Sequence, residues 1–266
     1  MRSLLAIALS LAALAASARH ALASDGRLEI NQACVATGCF PGDSPGLPVE
    51  TQPDQSYVLT SNLQVGSSAA GVILGAGSTL DLNGFGILGD VTCSGAPASC
   101  SQSGSNGGGV IAGERAVVKH GTIRGLRTYG IRGANFVRVE DMAIEWNAAA
   151  GIAADGAIGW TIQDSRIAVN GGYGIALNVA GGSVGSRLLR NTIYGNQLGG
   201  FAGGISLATD NTFDSNGSYG AQFNFGTTNT GFAGNHFSAN NGGNANPQLT
   251  GGTALGANLC GLAACP

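Results

Sequence analysis

Charged residues are scarce in this sequence, making up only 10% of its 266 positions. The 46 glycines follow no strict three-residue period, which excludes a collagen-like triple helix. No histidine stands beside a cysteine and no paired C-x-x-C occurs, which argues against a structural zinc site. After the first thirty residues, helix-forming Leu, Lys and Glu are uncommon. What remains is short runs of Val, Ile, Phe and Thr between Gly, Asn and Asp, typical of many short strands and tight turns.

The first 23 residues have the features of an export signal. Arg2 precedes a mostly apolar run, Leu4–Ala16, and Ala21-Leu22-Ala23 matches an A-x-A cleavage site. At about 13 residues the run is too short to cross a bilayer, and no later run of spanning length follows. We therefore predict cleavage after Ala23, export to the periplasm, the cell surface or the medium, and no membrane span.

The cysteines also indicate an oxidising compartment. They form three pairs that are close in sequence: Cys34/Cys39, Cys93/Cys100 and Cys260/Cys265. Their spacing favours three local disulfides, although other connectivities are open in principle. A disulfide that closes a short loop adds little chain-entropy stabilisation. We therefore interpret these bridges as local constraints on loops and not as links within the core.

The charge balance argues against nucleic acid as a partner. Removal of Arg2 and Arg19 with the signal leaves 10 of the 12 basic residues against 15 acidic ones. A mildly acidic exported protein is a poor general binder of nucleic acid or of anionic membrane.

A repeat of 23 residues dominates the middle of the chain. The segment Asp141–Asn147 aligns with Asp164–Asn170, and each is followed by a Gly-Ile pair. The strongest anchor is an apolar residue that recurs at Ile123, Ile144, Ile167, Ile193, Phe213 and Phe237. Three residues after most anchors comes an asparagine: Asn147, Asn170, Asn196, Asn216 and Asn240. Gly-apolar pairs open the next coils at Gly130-Ile131, Gly151-Ile152, Gly174-Ile175, Gly204-Ile205 and Gly220-Ala221.

Steps of 20 to 26 residues with strand-type alternation predict one coil of a solenoid per repeat. Successive coils would pair as parallel strands about 4.8 Å apart, so equivalent residues stack into columns. The asparagines suit such a column because Asn tolerates a left-handed turn and its amide can bond to the Asn above and below.

The pattern N-x-I-x-x-N followed by Y-G-I, as in Arg190–Asn196 and Asn170–Ile175, resembles the parallel β-helix repeat of the pectin-lyase-like superfamily. The resemblance covers roughly residues 71–243 and implies an all-β, right-handed parallel β-helix, a hand that the crossover rule for parallel strands also favours. It implies no single activity, because that superfamily includes lyases, hydrolases, epimerases, phage tail spikes and proteins with no known reaction.

We expect roughly seven coils with a cap at each end. The predicted organisation is a signal peptide at 1–23, an N-terminal cap at 24–70, the β-helix at 71–243 and a C-terminal capping tail at 244–266. A solenoid needs caps because its terminal coils expose apolar residues and unpaired backbone.

Alignment of the coils places polar residues in shared columns. Three residues before the anchors stand His120, Asp141, Asp164, Arg190 and Asp210. One residue earlier stand Lys119, Glu140, Gln163 and Leu189, and two further back Val117, Arg138, Thr161 and Arg187. The register predicts one charged patch about four coils tall, made of Lys119, His120, Arg138, Glu140, Asp141, Asp164 and Arg190.

This patch has two interpretations. In the catalytic one, His120, Asp141, Asp164 and Arg190 act on an acidic polysaccharide, where Arg neutralises a uronate carboxylate and a base removes the proton beside it. Lys119, Arg124, Arg138 and Glu140 would then bind substrate, and a lyase could use Ca²⁺ held by the aspartates. In the simpler interpretation, which we favour, the charges form a salt-bridge ladder. Combined hydrolase signatures and an Asp-Pro-His run are absent, so no catalytic residue is transferred from the superfamily.

Six basic residues also cluster within 24 positions: Arg115, Lys119, Arg124, Arg127, Arg132 and Arg138. The cluster could bind a polyuronate or lipopolysaccharide phosphate, but we favour cross-coil pairing of Lys119 with Glu140 and of Arg124 with Glu145. Three tyrosines, Tyr129, Tyr173 and Tyr219, could stack on sugars. We favour the interpretation that they pack at the rim of the coils.

The leading functional hypothesis is an exported, non-catalytic surface or envelope protein that contacts glycans and needs no cofactor. The competing hypotheses are a polysaccharide lyase or related carbohydrate-active enzyme, and a purely structural solenoid without a ligand.

Overall fold

The short apolar runs form a stack of short strands in a computed structural model of the chain. The structure describes residues 26–66, 69–101, 107–178, 185–223, 230–243 and 247–265. The predicted signal peptide lies outside these ranges. No helix in the described ranges is long and apolar enough to cross a membrane.

The elements are almost all strands of two to eight residues, with one short helix, α1 (Gln32–Val35), after the first strand. The strands of the first half are β1 (Leu28–Ile30), β2 (Val49–Glu50), β3 (Ser56–Leu59), β4 (Leu63–Gln64), β5 (Val72–Leu74), β6 (Thr79–Asp81), β7 (Gly86–Leu88), β8 (Cys93–Ser94), β9 (Ser99–Cys100), β10 (Val110–Ala112), β11 (Val117–Arg124), β12 (Ile131–Gly133) and β13 (Arg138–Glu145). Those of the second half are β14 (Ile152–Asp155), β15 (Thr161–Gln163), β16 (Arg166–Ala168), β17 (Ile175–Asn178), β18 (Arg187–Leu189), β19 (Thr192–Tyr194), β20 (Phe201–Gly203), β21 (Leu207–Thr209), β22 (Thr212–Asp214), β23 (Ala221–Gln222), β24 (Gly231–Ala233), β25 (His236–Ser238), β26 (Leu249–Thr250), β27 (Thr253–Ala254), β28 (Leu259–Cys260) and β29 (Ala263–Ala264).

Each coil contributes strands to three faces. The first and second faces together form a sheet of 18 strands, because β11 and β13 run continuously around the corner that separates them. The third face is a sheet of 9 strands that begins with β2 and ends with β26. Pairing along all three faces is parallel, and the exception in the large sheet is the terminal pair β28–β29. The all-β, right-handed parallel β-helix expected from the repeat is confirmed, with about 8 coils.

The interior is filled by the inward-facing residues of all three faces. Two neighbouring coils show this filling, with every member fully buried: Val137, Val139, Ile144 and Ile152 in one coil, and Trp160, Ile162, Ile167 and Ile175 in the next. Their backbone register agrees with the prediction, since Ile144 pairs with Ile167 and Ile152 with Ile175. Alternation of apolar and polar residues therefore fixed both the register and the inner side of each strand.

A buried asparagine ladder runs along the corner after the second face. Its members are Asn147, Asn170, Asn196, Asn216 and Asn240, all 0% exposed. In each step the Oδ1 of the upper Asn accepts bonds from the backbone N–H and the Nδ2 of the lower one, as in Asn147 with Asn170 at 3.1 and 3.0 Å. Gln248 accepts the last such pair of bonds, from Asn240. The predicted amide column is confirmed.

A second ladder follows the corner between the first two faces. It contains Asn191, Asn211 and Asn235, and it continues to Asn258 in the C-terminal segment. Side-chain amides thus satisfy turn backbone groups that have lost their strand partners.

One coil boundary was assigned wrongly from the sequence. The Gly-apolar pair that opens the coil after Ile175 is Gly200-Phe201 and not Gly204-Ile205, because Phe201 pairs with Ile175 on the third face. Ile205 is also buried, but it lies after that strand, at the approach to β21. Two Gly-apolar pairs stand four residues apart in this coil, and the pattern alone does not distinguish them.

The N-terminal segment already takes part in the stacking. Strand β1 pairs in parallel with β3, and β4 pairs in parallel with β7. The helix α1 lies between β1 and β2 and is capped by Asn31, whose side chain accepts a bond from the backbone N–H of Cys34 at 2.9 Å. The role of residues 24–70 and 244–266 as caps stays a prediction.

The structure contains three disulfides, in the same local pairs that the spacing favours: Cys34–Cys39, Cys93–Cys100 and Cys260–Cys265. The second closes an antiparallel hairpin, β8–β9, which leaves the stack after Val91. The hairpin extends along the axis, since the N–H of Ala98 donates to the carbonyl of Gly195 at 2.8 Å.

Candidate functional site

The corner between the first and second faces is the site of the predicted charged column. Five successive coils turn here through one residue with a left-handed backbone, which bends the strand and places the side chain on the outer surface. These residues are His120, Asp141, Asp164, Arg190 and Asp210, with φ between 50° and 58°. Asp and His are enriched among residues that tolerate this conformation. We call this set the exposed column.

A buried carboxylate, Asp81, stands at the lower end of the exposed column. Its residue is 8% exposed, and its oxygens face three basic side chains: Arg27 at 2.9 Å, His120 at 3.2 Å and Lys119 at 4.0 Å. The backbone N–H of Asn83 donates to the same group at 2.9 Å. Sequence reasoning missed Asp81 because the column was started at Lys119. Aligning one more coil below Lys119 would have predicted Asp81, since Lys119 pairs with Asp81 in the backbone register.

Asp81 orients the His120 ring. The Nδ1 atom of His120 lies 3.2 Å from Oδ1 of Asp81. In the tautomer with its proton on Nδ1, the ring donates to this carboxylate and leaves Nε2 as a free acceptor. Within the described ranges Nε2 has no hydrogen-bond partner. Arrangements of this kind, a carboxylate behind an imidazole, hold a potential general base in position.

Asp141 is the carboxylate of the exposed column that stands open beside His120. It lies one coil above His120 and is exposed, and no basic group among the described residues lies within ion-pair distance of it. The next carboxylate up the column, Asp164, is bound by Arg190 on its far side. Asp141 is therefore left with both carboxylate oxygens facing solvent.

Asp164 and Arg190 form a two-pronged ion pair across neighbouring coils. The Nε and Nη2 atoms of Arg190 each donate to one oxygen of Asp164, both at 2.7 Å. These hydrogen bonds lower the pKa of the Asp164 carboxyl below its ordinary value. They also raise the pKa of Arg190. The pair behaves as one rung of the salt-bridge ladder.

An open groove lies along this corner. It has a volume of about 500 Å³ and is lined by His120, Thr122, Asp141, Met142, Asp164 and Arg166, among others. A smaller hollow of about 260 Å³ on the second face shares Thr122 with it. The structure thus brings His120, Asp141 and Asp164 together in one groove, while Arg190 reaches it only through its bond to Asp164.

The groove does not offer the donors that Ca²⁺ requires. Calcium takes six to eight oxygen ligands, whereas both oxygens of Asp164 are bound by Arg190. No group of three His, Cys, Asp or Glu side chains in the part of the chain that the structure describes is arranged to hold a metal ion. The idea of a calcium ion held by Asp141 and Asp164 therefore finds no support in the donor set.

The four predicted binding residues stack as expected but choose different partners. Lys119 pairs with Glu140, and Arg124 with Glu145, in the backbone register. The ion pairs form elsewhere: Glu140 is bound by Arg138 of its own strand at 2.7 Å, and Glu145 by Arg166 of the next coil. The predicted pairing of side chains was wrong because long side chains reach along a strand or diagonally as readily as straight up the stack.

The basic cluster is mostly neutralised by carboxylates. Besides Lys119 with Asp81 and Arg138 with Glu140, Arg127 binds Asp90 through two bonds and Arg115 binds Glu114 at 2.9 Å. The hydrogen bonds from Arg127 lower the pKa of Asp90. These pairs remove most of the charge that a polyanion would need.

The remaining two members of the cluster lie over aromatic rings. The guanidinium of Arg124 is 5.3 Å from the Trp146 ring centroid, and that of Arg132 is 6.0 Å from Tyr129. Tyr129, Tyr173 and Tyr219 are all half-buried and do not form an open stacking surface.

Comparison with known proteins identifies the repeat. A family model described as a right-handed beta helix region matches residues 53–237. No curated protein matches the sequence.

Two solved structures share the backbone path at low sequence identity. The mannuronan C-5 epimerase AlgE4 A-module of Azotobacter vinelandii is 10% identical, with a TM-score of 0.48, and the match covers 88% of this chain and 78% of that one. The Dettilon tailspike protein is 14% identical, with a TM-score of 0.37, over 79% of this chain and 61% of the tailspike. At these identities the likeness concerns the fold alone.

Proposed function

The chain belongs to the right-handed beta-helix family, and we propose that it is an exported, non-catalytic protein that binds glycans in the groove beside Asp141. The observation that carries the proposal is the open groove across successive coils, in which the Asp141 carboxylate has no basic partner in the described ranges. A carboxylate accepts hydrogen bonds through two oxygens, which suits the adjacent hydroxyls of a sugar.

The groove is suited to neutral, hydroxyl-rich sugars more than to polyanions. Arg190 and Arg166 lie at its side, but each is already bound to a carboxylate. Asp141 adds an uncompensated negative charge to the centre of the groove. A polyuronate would have to displace these ion pairs and approach Asp141, both of which oppose binding.

The rigidity of the coil supports recognition of an extended chain. Strand pairing fixes the spacing of His120, Asp141 and Asp164 at one coil each, about 4.8 Å. Groups held in this way lose little conformational freedom when a ligand binds, which favours affinity from few contacts. A polysaccharide that lies along the axis can meet one such group per coil.

The test is calorimetric titration of the mature protein with neutral and acidic polysaccharides, together with two variants of the exposed column. Asp141→Asn removes the free carboxylate and is expected to weaken binding about tenfold, because hydrogen bonds to charged groups contribute about 1.5 kcal/mol or more. Asp210→Asn makes the same change in the same column, outside the groove, and should bind as the wild type does.

Two results would contradict the proposal. One is an Asp141→Asn variant with unchanged affinity for every polysaccharide that the wild type binds. The other is affinity that falls steeply as salt is added, because that is the behaviour of a polyanion held by paired surface charges. Binding of a neutral glycan should be nearly independent of salt.

A lyase is the second candidate, and the Asp81–His120 contact favours it. With Nδ1 held by Asp81, Nε2 of His120 could take the proton beside a uronate carboxylate while the bond to the leaving sugar oxygen breaks. The product would be unsaturated and would absorb in the ultraviolet. Growth of that absorbance with a uronate polymer, lost in His120→Gln, would establish the enzyme; a flat trace with all polymers would exclude the lyase.

A further inference from the structure

Phe136 is the aromatic side chain that the described part of the structure leaves most open to solvent. It is 46% exposed, whereas the tyrosines of the rim are half-buried. Phe136 turns the corner that leads into the first face, five residues before Asp141 on the same coil. The interior does not need this ring, because the core of that coil is filled by Val137, Val139 and Ile144, all fully buried.

The backbone at Phe136 is in a left-handed conformation that disfavours a bulky residue. Its φ is 60°, a value that brings Cβ too close to the following carbonyl oxygen in L-residues. The next two coils place glycine at the same corner, Gly159 with φ 73° and Gly185 with φ 84°. Glycine adopts this conformation without that penalty. Arg115, at the same corner one coil below, has φ 58°, so the left-handed turn belongs to the fold and does not require an aromatic ring at this position.

The neighbouring glycine supports the ring. Phe136 follows the parallel register onto Gly159, since its N–H donates to the carbonyl of Ile158 at 2.7 Å. A Cβ added to Gly159 would overlap the Cδ1 and Cε1 atoms of the Phe136 ring. The ring thus packs against bare backbone on one side, which holds it in place and leaves the rest of it open.

Charged pairs lie next to Phe136 in the stack and along its strand. Arg115 occupies the same corner one coil below, where it binds Glu114 at 2.9 Å, and both side chains are well exposed. Arg138 follows Phe136 by two residues and binds Glu140 at 2.7 Å. An apolar protein surface placed on Phe136 would have to desolvate the exposed side chains of Arg115, Glu114 and Arg138. A sugar offers hydroxyls to them and a C–H face to the ring.

We propose that Phe136 is an aromatic platform for a pyranose ring of the same glycan that the Asp141 groove binds. The inference rests on the proposed function and extends it across the first face. The face of an aromatic ring carries partial negative charge and attracts the polarised C–H groups of a sugar. The strand between Phe136 and Asp141 spans at most about 16 Å, so one oligosaccharide can contact both residues.

The test compares three variants by calorimetric titration with the polysaccharides that the wild type binds, and by thermal unfolding. Phe136→Gly removes the ring and the strain together, so affinity should fall about three- to tenfold while the midpoint of unfolding stays level or rises. Phe136→Leu keeps an apolar side chain without a ring and should lose the same affinity. Phe136→Tyr keeps the ring and should bind as the wild type does.

Each outcome decides the matter. The platform is excluded if Phe136→Gly binds as the wild type does, or if its unfolding midpoint drops along with binding, since the ring would then be structural. If Asp141→Asn weakens binding and Phe136→Gly does not, the platform alone falls. If no polysaccharide binds the wild type, both proposals fall. Self-association of the wild type that Phe136→Gly abolishes, measured by sedimentation, would replace the sugar with a second copy of the chain.

Discussion

The asparagine ladder and the exposed column are two rows of side chains built on the same principle, with opposite results. Both place one residue per coil at a corner, and both are stacked by parallel pairing of the strands. The ladder repeats a single residue type and is fully buried. The exposed column changes from His to Asp to Arg and back to Asp, and it faces solvent.

The ladder is uniform because each member is both donor and acceptor for its neighbours. Asn170, for example, accepts two bonds from Asn147 and donates to Asn196 at 2.9 Å. A buried amide in such a row has all its partners within the stack, so a change at one position leaves groups unsatisfied at two others.

The exposed column has no such constraint. Water can satisfy any of its members, so neighbouring coils need not match. Asp164 and Arg190 form an ion pair, whereas Asp141 has no basic partner among the described residues. The comparison teaches that in a solenoid a repeated polar row indicates structure, and a row that varies from coil to coil is where a ligand can be recognised.

The largest expected effect tests the register on which both rows depend. Ile144→Asp would bury an unpaired carboxylate at a position that is 0% exposed, and such a group cannot be accommodated without several kcal/mol of cost. We expect the variant to lose cooperative thermal unfolding, measured by circular dichroism. Ala143→Asp, one residue earlier on the outer side of the strand, should fold normally; a cooperative Ile144→Asp variant would contradict the assigned core.

The next effect separates the ladder from the exposed column. Asn170→Ala leaves the backbone N–H and the Nδ2 of Asn147 without an acceptor and removes the bond to the carbonyl of Ile144, whereas Oδ1 of Asn196 keeps the backbone N–H of residue 170. At about 1 to 3 kcal/mol for each unsatisfied buried group, the free energy of unfolding should fall by roughly 3 kcal/mol or more. Asp141→Asn should change it by less than about 0.5 kcal/mol. Urea titration measures both changes in unfolding free energy. Equal losses in the two variants would contradict the structural difference between the ladder and the exposed column.

The smallest effect lies within the exposed column. Arg190→Gln removes the bonds that lower the pKa of Asp164. Because the folded-state pKa is below the unfolded one, the pair stabilises the protein above the ordinary pKa of Asp, about 3.9, and this contribution is lost as pH falls through the lowered value. The wild type should therefore unfold slightly above the variant at neutral pH and together with it in strong acid. A gap in melting temperature that persists in acid would show that the ion pair is not its source.

Much of the fold was predictable because most coils carry the same pattern of apolar, asparagine and glycine residues. Ile144, Ile167 and Ile193 recur at a fixed offset from the asparagines, and parallel pairing then determines which residues stack. The boundary at Gly200-Phe201 was missed where a Phe takes the place of Ile and a similar pair follows four residues later. Periodicity locates coils, but it does not choose between two nearby matches.

The candidate site was predictable as a row and not as a set of contacts. The sequence placed His120, Asp141, Asp164 and Arg190 in one column, but Asp81 lay outside the coils that had been aligned. Phe136 was not predicted, because its counterparts in the neighbouring coils, Arg115 and Gly159, share no residue type with it. The corner at Phe136 can be recognised only when the three turns of each coil are told apart. That distinction depends on φ angles, which cannot be read from the sequence.

The hairpin β8–β9 changes how such a stack can come apart. In a solenoid each coil touches only its neighbours, so unfolding can begin at an end and proceed step by step. This hairpin leaves the stack near Val91, approaches Asn147 through Cys100 at 3.8 Å, and bonds through Ala98 to Gly195 several coils further on. Contacts between distant coils couple their opening, so the stretch from Val91 to Gly195 is expected to melt as one cooperative block, with fraying confined to the coils outside it.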